Sequence, residues 1–581
     1  MSGEVITQRI VRGRLIMQLL AAVVIGLVSG LLAVAFRFLL LEGTEVFWGG
    51  SYNLVAAARD LPWYAVVGIP VGGGLFLGLI LYPRAPDTRG AGVPDVIEAM
   101  VERGGDIHHR TTLYKMLATL ISLSCGASVG REGPMVHIGA SVGSAVARVL
   151  RVAQEWKIVF LACGAAGAIA ATFNAPMAGM LFAAEIILID FQVGYLSQIA
   201  VSAVTATVVS HQFLGDLPTF DVPSVSLVHY WEIPVFLLLG LIAGLLSIAI
   251  IKLISRVEDS FNAAAVPLQF RPALGGVILG AVALWCPHVL GVGYFTMNQA
   301  LSTALVPTLI FTILIAKLVA TVCCVGSGFS GGVIAPSLFV GALIGSLCGI
   351  SVQMLTPDQV EVTSESLYVM VGMAAMFSGI TLAPITAMFT IFELTYNFEI
   401  ILPLMVGCIA SLTVVQAGYG ISIYETRLVR KGVRIVRGRD VNLLRSLKIY
   451  DYMEPNFESI SQSLPLGQVA KIAQESQYPH FVVHDKDNLM VGMLSMHDLK
   501  ACLGEMGELA YLVLASEIMT RDVITITPDD SLEKAFEVFK GKNISTIPVV
   551  SVYSPRKVMG VLKKSDLIRA YSRNVLKFDV K

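Results

Sequence analysis

The 581-residue sequence has few charged side chains. Asp, Glu, Lys and Arg make up 14% of it, whereas 55% is hydrophobic and the mean hydropathy is +0.74. Soluble globular domains carry about 25% charged residues. This shortage excludes an ordinary soluble protein and predicts one that is embedded in a lipid bilayer. The net charge of −1 does not indicate nucleic acid as a partner.

Cysteine pairs and cleavage signals are also lacking. None of the eight cysteines stands in CxxC spacing, so the sequence offers no zinc or redox site of that kind. Most lie in apolar stretches, which is typical of buried, inert thiols. The first long apolar run begins near Leu15, after three arginines, and carries no convincing cleavage site. We therefore expect this first span to be retained.

Apolar segments dominate the sequence from Leu15 to about Gly418, and several reach the ~20 residues that a spanning helix needs. The clearest are 16–41, 63–81, 235–254 and 308–325. Glycine and proline interrupt others, around 90–94, 130–134 and 328–336. Broken backbone that faces lipid would leave polar groups unpaired, so we expect these segments to line a cavity inside the protein.

A basic linker follows the apolar region, from Arg427 to Arg439 with Lys431 among its charges. Beyond it, short strand and helix patterns alternate as in a soluble α/β domain. Lys and Arg accumulate on the cytoplasmic side of membrane spans, so both termini are predicted to be cytoplasmic. The predicted organisation is an N-terminal segment 1–14, a membrane domain 15–424, a linker 425–447 and two small domains at 448–505 and 512–575.

The membrane region contains an internal repeat. Residues 130–134 (GREGP), followed by Gly-Ala at 139–140, match residues 332–336 (GVIAP), followed by Gly-Ala at 341–342 with the same spacing. A second pair, 164–185 and 372–393, aligns without a gap and shares Ala-Pro and a closing glutamate. Repeated halves with interrupted helices are typical of transport proteins that bind their substrate near the bilayer midplane.

The repeated glycine segments suit an anion. Moving an anion into a low-dielectric interior costs on the order of tens of kcal/mol unless other groups replace its water. Helix N-termini supply free backbone N–H groups and about half a positive charge each. Glycine lets the backbone approach the ion, and proline in the first turn costs no hydrogen bond. Either segment alone suits an ordinary helix cap better, but their duplication favours an anion site.

These segments resemble the selectivity-filter motifs of the CLC chloride channels and transporters. Residues 90–94 (GAGVP), 130–134 (GREGP) and 332–336 (GVIAP) occur in the family's order and separation, and 417–425 (AGYGISIYE) resembles the start of its last membrane helix. The resemblance covers about residues 15–430. It implies an α-helical polytopic membrane protein built from two inverted repeats with broken helices. It also implies a homodimer with one pore in each subunit.

The same resemblance implies roles for single residues. The backbone amides of Val333 and Ile334, with the hydroxyl of Tyr419, would hold the central chloride. Glu132 would be the gate, because its carboxylate can occupy the outer anion position itself. Further chloride-binding positions are Ala91, Gly130, Gly133 and Arg131, of which Arg131 serves more as a structural charge that orients the filter. The alternatives are a helix-capping role for Glu132 and an interfacial role for Tyr419.

Two positions depart from the family's pattern. Ala91 stands where many members have serine, which removes a hydroxyl donor from the central site. Ile186 stands where proton-coupled members have a glutamate that loads protons, and isoleucine carries none. Glu185 points about 100° away from it around a helix, and Asp190, one turn beyond, is either a substitute or a solvated acid at a helix end. We therefore expect passive chloride conduction, with proton-coupled exchange as the alternative.

The tail also contains a repeat. Residues 452–455 (YMEP) lead to 492–499 (GMLSMHDL), and 517–520 (EIMT) lead to 560–567 (GVLKKSDL). These copies resemble a tandem of CBS domains, and the resemblance implies a candidate site for ATP, ADP or AMP. Its residues would be Ser495, Asp498, Lys563, Ser565 and Asp566. Lys563 replaces the expected hydroxyl residue, so a module that only dimerises and transmits strain fits equally.

Other functions fit the sequence less well. Fluoride export by a CLC branch is disfavoured by Pro134. An enzyme that uses Glu132, Glu185 or His137 is disfavoured because no nucleophile, metal cluster or phosphate loop accompanies them. No resident cofactor or metal is expected, and chloride is the expected substrate. The compact tail and linker favour a bacterial inner membrane as the location.

Overall fold

The computed structural model describes most of the chain. The described residues are 2–50, 53–85, 88–189, 193–216, 219, 220, 222, 225–264, 266–302, 305–357, 360–397, 399–433, 444, 447–476, 478–496, 498–500, 502, 512–541, 544–567, 569 and 570. The chain divides into two compact units, Met1–Ile435 and Val436–Lys581. Two parts of the earlier predictions lie outside the described residues. They are the end of the predicted basic linker, from residue 434 to Arg439, and Asp190.

The first unit is built from α-helices. Its first half contains α1 (Ser2–Phe47), α2 (Leu54–Asp60), α3 (Trp63–Phe76), α4 (Gly92–Glu102), α5 (His109–Ser124), α6 (Glu132–Val149), α7 (Gln154–Phe173), α8 (Pro176–Phe182) and α9 (Val193–Leu214). Its second half contains α10 (Ile233–Ala263), α11 (Arg271–Trp285), α12 (Tyr294–Leu301), α13 (Pro307–Ser327), α14 (Ile334–Leu355), α15 (Glu365–Thr381), α16 (Pro384–Thr395), α17 (Ile401–Gly418) and α18 (Ile423–Arg430). Helices α3 and α8 continue as π-helical turns over Leu77–Leu81 and Ala183–Leu188.

Seven segments of the described chain are long and apolar enough to cross a membrane. They are Leu15–Phe47, Trp63–Leu81, Gln154–Phe173, Tyr230–Ala263, Pro307–Ser327, Ile334–Leu355 and Ile401–Arg430. The four spans predicted from the sequence lie within this set. The glycine-rich segments are loops that lead into α4, α6 and α14, so the prediction of interrupted helices is confirmed.

The internal repeat is visible as two equivalent helix pairs. Helix α6 packs on α7, and α14 packs on α15. In the first pair a Cβ added to Gly139 would overlap the carbonyl oxygen of Gly164, and in the second a Cβ added to Gly341 would overlap that of Gly372. Small residues that bring helix backbones into direct contact are a common device in membranes. The repeated Gly-Ala pairs of the sequence therefore mark the closest helix contacts in each half.

The two closing glutamates of the repeat are also equivalent. Glu185, which follows α8, accepts hydrogen bonds from the backbone amides of Ile385 (3.3 Å) and Thr386 (2.7 Å) at the start of α16. Glu393, on α16, accepts them from the amides of Met177 (2.9 Å) and Ala178 (2.7 Å) at the start of α8. First-turn amides have no partner within their own helix. Each half of the membrane unit thus caps a helix of the other half.

The second unit is a small α/β structure. Its elements are β1 (Glu458–Ser461), α19 (Leu466–Glu475), β2 (His480–His484), β3 (Met490–Ser495), α20 (Ala515–Ile518), α21 (Leu532–Gly541), β4 (Thr546–Ser551) and β5 (Ser554–Lys563). Strand β2 pairs with β1 in parallel and with β3 antiparallel, and β4 pairs antiparallel with β5. The imidazole of His480 lies 3.2 Å from Ser545 Oγ and 3.1 Å from Thr546 Oγ1, and so connects the two sheets.

Candidate functional site

The two repeated loops are hydrogen-bonded to each other. Gly130 N donates to Gly332 O at 2.7 Å, and Gly332 N donates to Gly130 O at 2.6 Å. Gly130 lies two residues before the start of α6, and Gly332 lies two residues before the start of α14. The N-termini of these helices, one from each repeat, therefore meet at a single point inside the membrane unit.

The helices at this point have no side-chain caps. The N-cap residues Ala91 of α4, Arg131 of α6 and Val333 of α14 make no capping hydrogen bond through their side chains. A Cβ added to Gly133 would lie 3.3 Å from Gly92 N and 3.8 Å from the Cβ of Ala91. Three helix N-termini thus converge with first-turn amides that lack intrahelical partners, an arrangement that suits an anion.

Glu132 is the first residue of α6 and is completely buried. Neither carboxylate oxygen makes a hydrogen bond of normal geometry with a described residue. A Cβ added to Gly130 would overlap Oε2 of Glu132 and would lie 3.3 Å from the amide nitrogen of Ala335 on α14. The carboxylate is therefore a negative group directly over Gly130, beside the positive ends of two helices.

One cavity of the first unit has a volume of about 500 Å³ and contains Arg37, Arg131 and Tyr294 in its wall. Its described lining residues include no Asp or Glu. Arg131 donates from Nη2 to Thr172 O at 3.3 Å, and its Cζ lies 5.3 Å from the Tyr294 ring centre. Arg131 thus combines a positive charge at the cavity wall with contacts that fix its orientation.

A second cavity, of about 210 Å³, contains the filter residues Ala91 and Val333 in its wall. Its charged lining residues are Arg89, Glu258, Arg271, Arg427 and Arg430. Positive charges therefore outnumber negative ones in both cavities, as a path for anions requires.

In the second unit, the residues predicted to bind a nucleotide make local contacts. Ser495 Oγ donates to Asp498 Oδ2 at 2.6 Å, and Asp498 N donates back to Ser495 Oγ at 3.1 Å. Lys563 forms an ion pair with Glu454. Ser565 is exposed, and Asp566 lies 3.9 Å from Arg569 Nη1. The two copies thus differ, since a serine–aspartate turn in the first has no counterpart at Lys563.

Comparison with known proteins assigns the membrane unit. The family model described as voltage gated chloride channel matches residues 73–416, more than half of the chain. The chain belongs to this family, the CLC family. Models of the CBS domain match residues 449–505 and 515–573.

Individual CLC relatives agree with this assignment. A ClcB-like chloride channel protein of Ralstonia nicotianae is 37% identical over 410 residues, which are 70% of this chain and 95% of the relative. A slow cyanobacterial Cl⁻/H⁺ antiporter has a similar structure, with a TM-score of 0.65, 26% identity and coverage of 71% and 97% of the two chains. A eukaryotic CLC transporter covers 95% of this chain and 98% of its own, with a TM-score of 0.63 and 19% identity, which shows the fold alone. The chain therefore has the CLC membrane fold with a C-terminal CBS region.

The structure brings most of the predicted CLC filter residues together, but not Tyr419. Tyr419 ends α17, its hydroxyl lies 3.5 Å from Thr426 Oγ1, and its ring lies under Lys252. Tyr424, in the first turn of α18, lines the second cavity with Val333 instead. Its ring is buried, and its hydroxyl makes no hydrogen bond with a described residue. Tyr424 therefore replaces Tyr419 as the candidate hydroxyl ligand of this CLC chain.

Ile186 and Glu185 are the two described residues that were considered for proton transfer in this CLC chain, and their surroundings differ. Ile186 is buried in the π-helical turn after α8, with 5% of its surface exposed. Glu185 caps α16 through the amides described above and also accepts from Thr386 Oγ1 at 2.7 Å. Its carboxylate is thus engaged in three hydrogen bonds that connect the two halves of the CLC fold.

Proposed function

We propose that the protein conducts chloride passively through one pore in each subunit of a homodimer, with Glu132 as the gate. The position of the Glu132 carboxylate carries this proposal. It is a negative group that lies at the N-termini of two helices, close to the backbone amide of Ala335 and the hydroxyl of Tyr294. Such a site attracts negative charge, and a chloride ion would occupy the same place once the carboxylate leaves.

The two cavities would form the path of the ion on either side of Glu132. The wall of the larger cavity contains Arg131, the residue before Glu132, and that of the smaller cavity contains Val333, the residue before α14. The backbone amides of Val333 and Ile334 and the hydroxyl of Tyr424 would donate hydrogen bonds to a chloride at the inner position. Gly130 and Gly133 allow the close approach of backbone, and Ala91 contributes no hydroxyl.

Passive conduction is favoured by the engagement of Glu185. An acid that shuttles protons must release its hydrogen bonds, and Glu185 would have to break three. Ile186 beside it has no titratable group. Proton-coupled exchange is the second candidate, because the structural neighbour with 26% identity is a Cl⁻/H⁺ antiporter.

The proposal extends to the location and to the second unit. We place both termini in the cytoplasm and the protein in a bacterial inner membrane. The CBS pair would modulate the pore, with an adenine nucleotide as the candidate ligand, because CBS domains commonly bind such nucleotides and Ser495 and Asp498 form a polar turn at the end of β3.

The first test is chloride efflux from proteoliposomes with the external pH recorded at the same time, with and without a proton ionophore. Passive conduction predicts electrogenic efflux that moves no protons. Proton uptake in a fixed ratio to chloride would contradict it and would support the antiporter.

The gate is tested by Glu132→Gln. Protonation neutralises Glu132 and releases it from the helix ends, so chloride flux in the unmodified protein should rise as the pH falls. The neutral variant should lose this dependence and conduct at all pH values. Glu365→Gln is the matched control, because Glu365 is a buried glutamate at the start of α15, bonded to Ser346 and outside both cavities. A pH dependence that persists in the Glu132 variant would exclude Glu132 as the gate.

A further inference from the structure

Lys317 is a lysine with no exposed surface in the middle of α13. Its Nζ donates to the carbonyl oxygens of Val289 (3.0 Å) and Gly291 (2.8 Å), and lies 4.6 Å from the ring centre of Phe339 on α14. Among the described residues, the titratable groups that act on it are the thiols of Cys286 and Cys324, and no carboxylate is among them. A buried lysine without a countercharge is costly and needs an explanation.

The neighbours of Lys317 suit an ammonium group. An ammonium has three N–H donors, and here two carbonyl oxygens and the face of an aromatic ring are the three acceptors. The contacts are therefore those of an ammonium group held by dipoles and a ring, with no carboxylate among the groups that act on it in the described part of the chain.

This charge lies behind the wall of the larger cavity. Gly291 and Gly293 line that cavity, and a Cβ added to Gly293 would lie 3.5 Å from Lys317 Nζ. Only one layer of backbone therefore separates the ammonium from the cavity. Arg37 and Arg131 are the charged residues in the described lining, so Lys317 adds a third positive charge behind a wall whose described residues include no Asp or Glu.

We propose that Lys317 determines the affinity of the larger cavity for chloride through its uncompensated buried charge. Low-dielectric protein surrounds the fully buried Lys317, so that water attenuates its field at the cavity only weakly. The ammonium acts at a distance and does not touch the ion. This inference rests on chloride being the transported ion, as proposed above.

The expected effect follows from Coulomb's law. We take a separation of about 10 Å between the ammonium and the chloride ion, and an effective dielectric constant of about 40, between those of protein and water. The attraction between these two unit charges then changes the affinity for chloride about fourfold. Loss of the charge should therefore raise the chloride concentration for half-maximal flux about fourfold, and should leave the maximal flux largely unchanged.

Three substitutions separate the charge from the packing. Lys317→Met keeps the length without charge or donor, Lys317→Gln keeps a hydrogen-bond donor without charge, and Lys317→Arg keeps the charge. Lys252→Gln is the matched control, because Lys252 also lies over an aromatic ring, that of Tyr419, but is exposed and lies outside the lining of the larger cavity.

The measurement is flux against chloride concentration in proteoliposomes, for full-length variants that elute and unfold as the unmodified protein does. The Met and Gln variants should both show the fourfold rise, and the Arg and Lys252 variants should not. A Gln variant with unchanged half-maximal concentration would overturn the proposal, since only the donor would then matter. Lowered maximal flux in all three Lys317 variants would also overturn it, in favour of a purely structural role. A failure of passive conduction would appear as proton movement in the unmodified protein, which this concentration dependence does not register.

Discussion

The reciprocal caps of the membrane unit can be tested by removing one of them. Glu185→Ala deletes the acceptor of three hydrogen bonds, from the amides of Ile385 and Thr386 and from the Thr386 hydroxyl. A hydrogen bond to a charged group contributes about 1.5–3 kcal/mol when it is buried. Glu185 is partly exposed and its bonds share two oxygens, so we expect a total loss of about 3 kcal/mol.

The assay is thermal unfolding of the purified protein in detergent, followed by tryptophan fluorescence and by loss of the folded peak in size-exclusion chromatography. A loss of about 3 kcal/mol in a unit of this size should lower the midpoint by roughly 3 °C. Glu185→Gln, which keeps one carbonyl acceptor, should lose about half as much. Glu393→Ala is the matched control, because it removes the equivalent cap of α8 with two hydrogen bonds, and should cost about 2 kcal/mol.

The same variants test whether Glu185 carries protons. If it is only a cap, Glu185→Gln should leave chloride flux and its proton record as they are in the unmodified protein. A midpoint unchanged in both alanine variants would refute the capping argument. A Gln variant that folds normally but loses a proton flux present in the unmodified protein would show instead that Glu185 titrates during transport.

Three further predictions concern the filter and the second unit. Gly130→Ala should displace the Glu132 carboxylate, since the added Cβ would overlap Oε2. Chloride flux should then lose its pH dependence. Unchanged pH dependence would contradict the position of the carboxylate over Gly130. Tyr424→Phe should weaken chloride binding by about 1 kcal/mol through loss of one hydroxyl, measured by isothermal titration calorimetry, whereas Tyr419→Phe should not. Burial lowers the pKa of His480, so stability due to this group is present above about pH 6.5 and falls as the solution is acidified through that value. The second unit of the full-length protein should therefore unfold at lower temperature at pH 5.5 than at pH 7.5, and His480→Asn should reduce that difference.

The sequence predicted the helix starts at the candidate site better than the side chains that surround them. The glycine segments at 130–134 and 332–336 are repeated with equal spacing, and their structure is local, so each reveals a helix start. Their meeting at the Gly130–Gly332 bridge followed from the repeat and from the resemblance to the CLC family. Backbone ligands need only correct helix starts, and these were visible in glycine and proline.

The choice between the two candidate tyrosines depends on where α18 begins. Tyr419 and Tyr424 lie on either side of Gly420, whose φ of +90° turns the chain between α17 and α18. A capping box between Ser422 and Glu425 begins α18, and this signal was present in the sequence as Ser-x-x-Glu. With it, Tyr424 would have been placed in the first helical turn and Tyr419 at the end of the preceding helix.

Contacts between distant segments could not be read from the sequence. Glu185 and Thr386 are 201 residues apart in the chain, and the matching of the two glutamates in the repeat gave no indication that each caps the other half. Lys317 stands in an apolar run, and its acceptors are carbonyl groups, which no side-chain pattern reveals. Such interactions depend on how helices pack, and only the folded chain shows them.

The bridge between Gly130 and Gly332 limits how ion preference can evolve. Because main chain from both halves is joined there by two hydrogen bonds, a change in one half that moves this main chain would also break its bonds to the other half. Sequence drift can therefore alter only the groups that face the amides, such as the methyl of Ala91. Descendants of this chain that keep both glycines would keep this junction, and they would differ in the side chains around it.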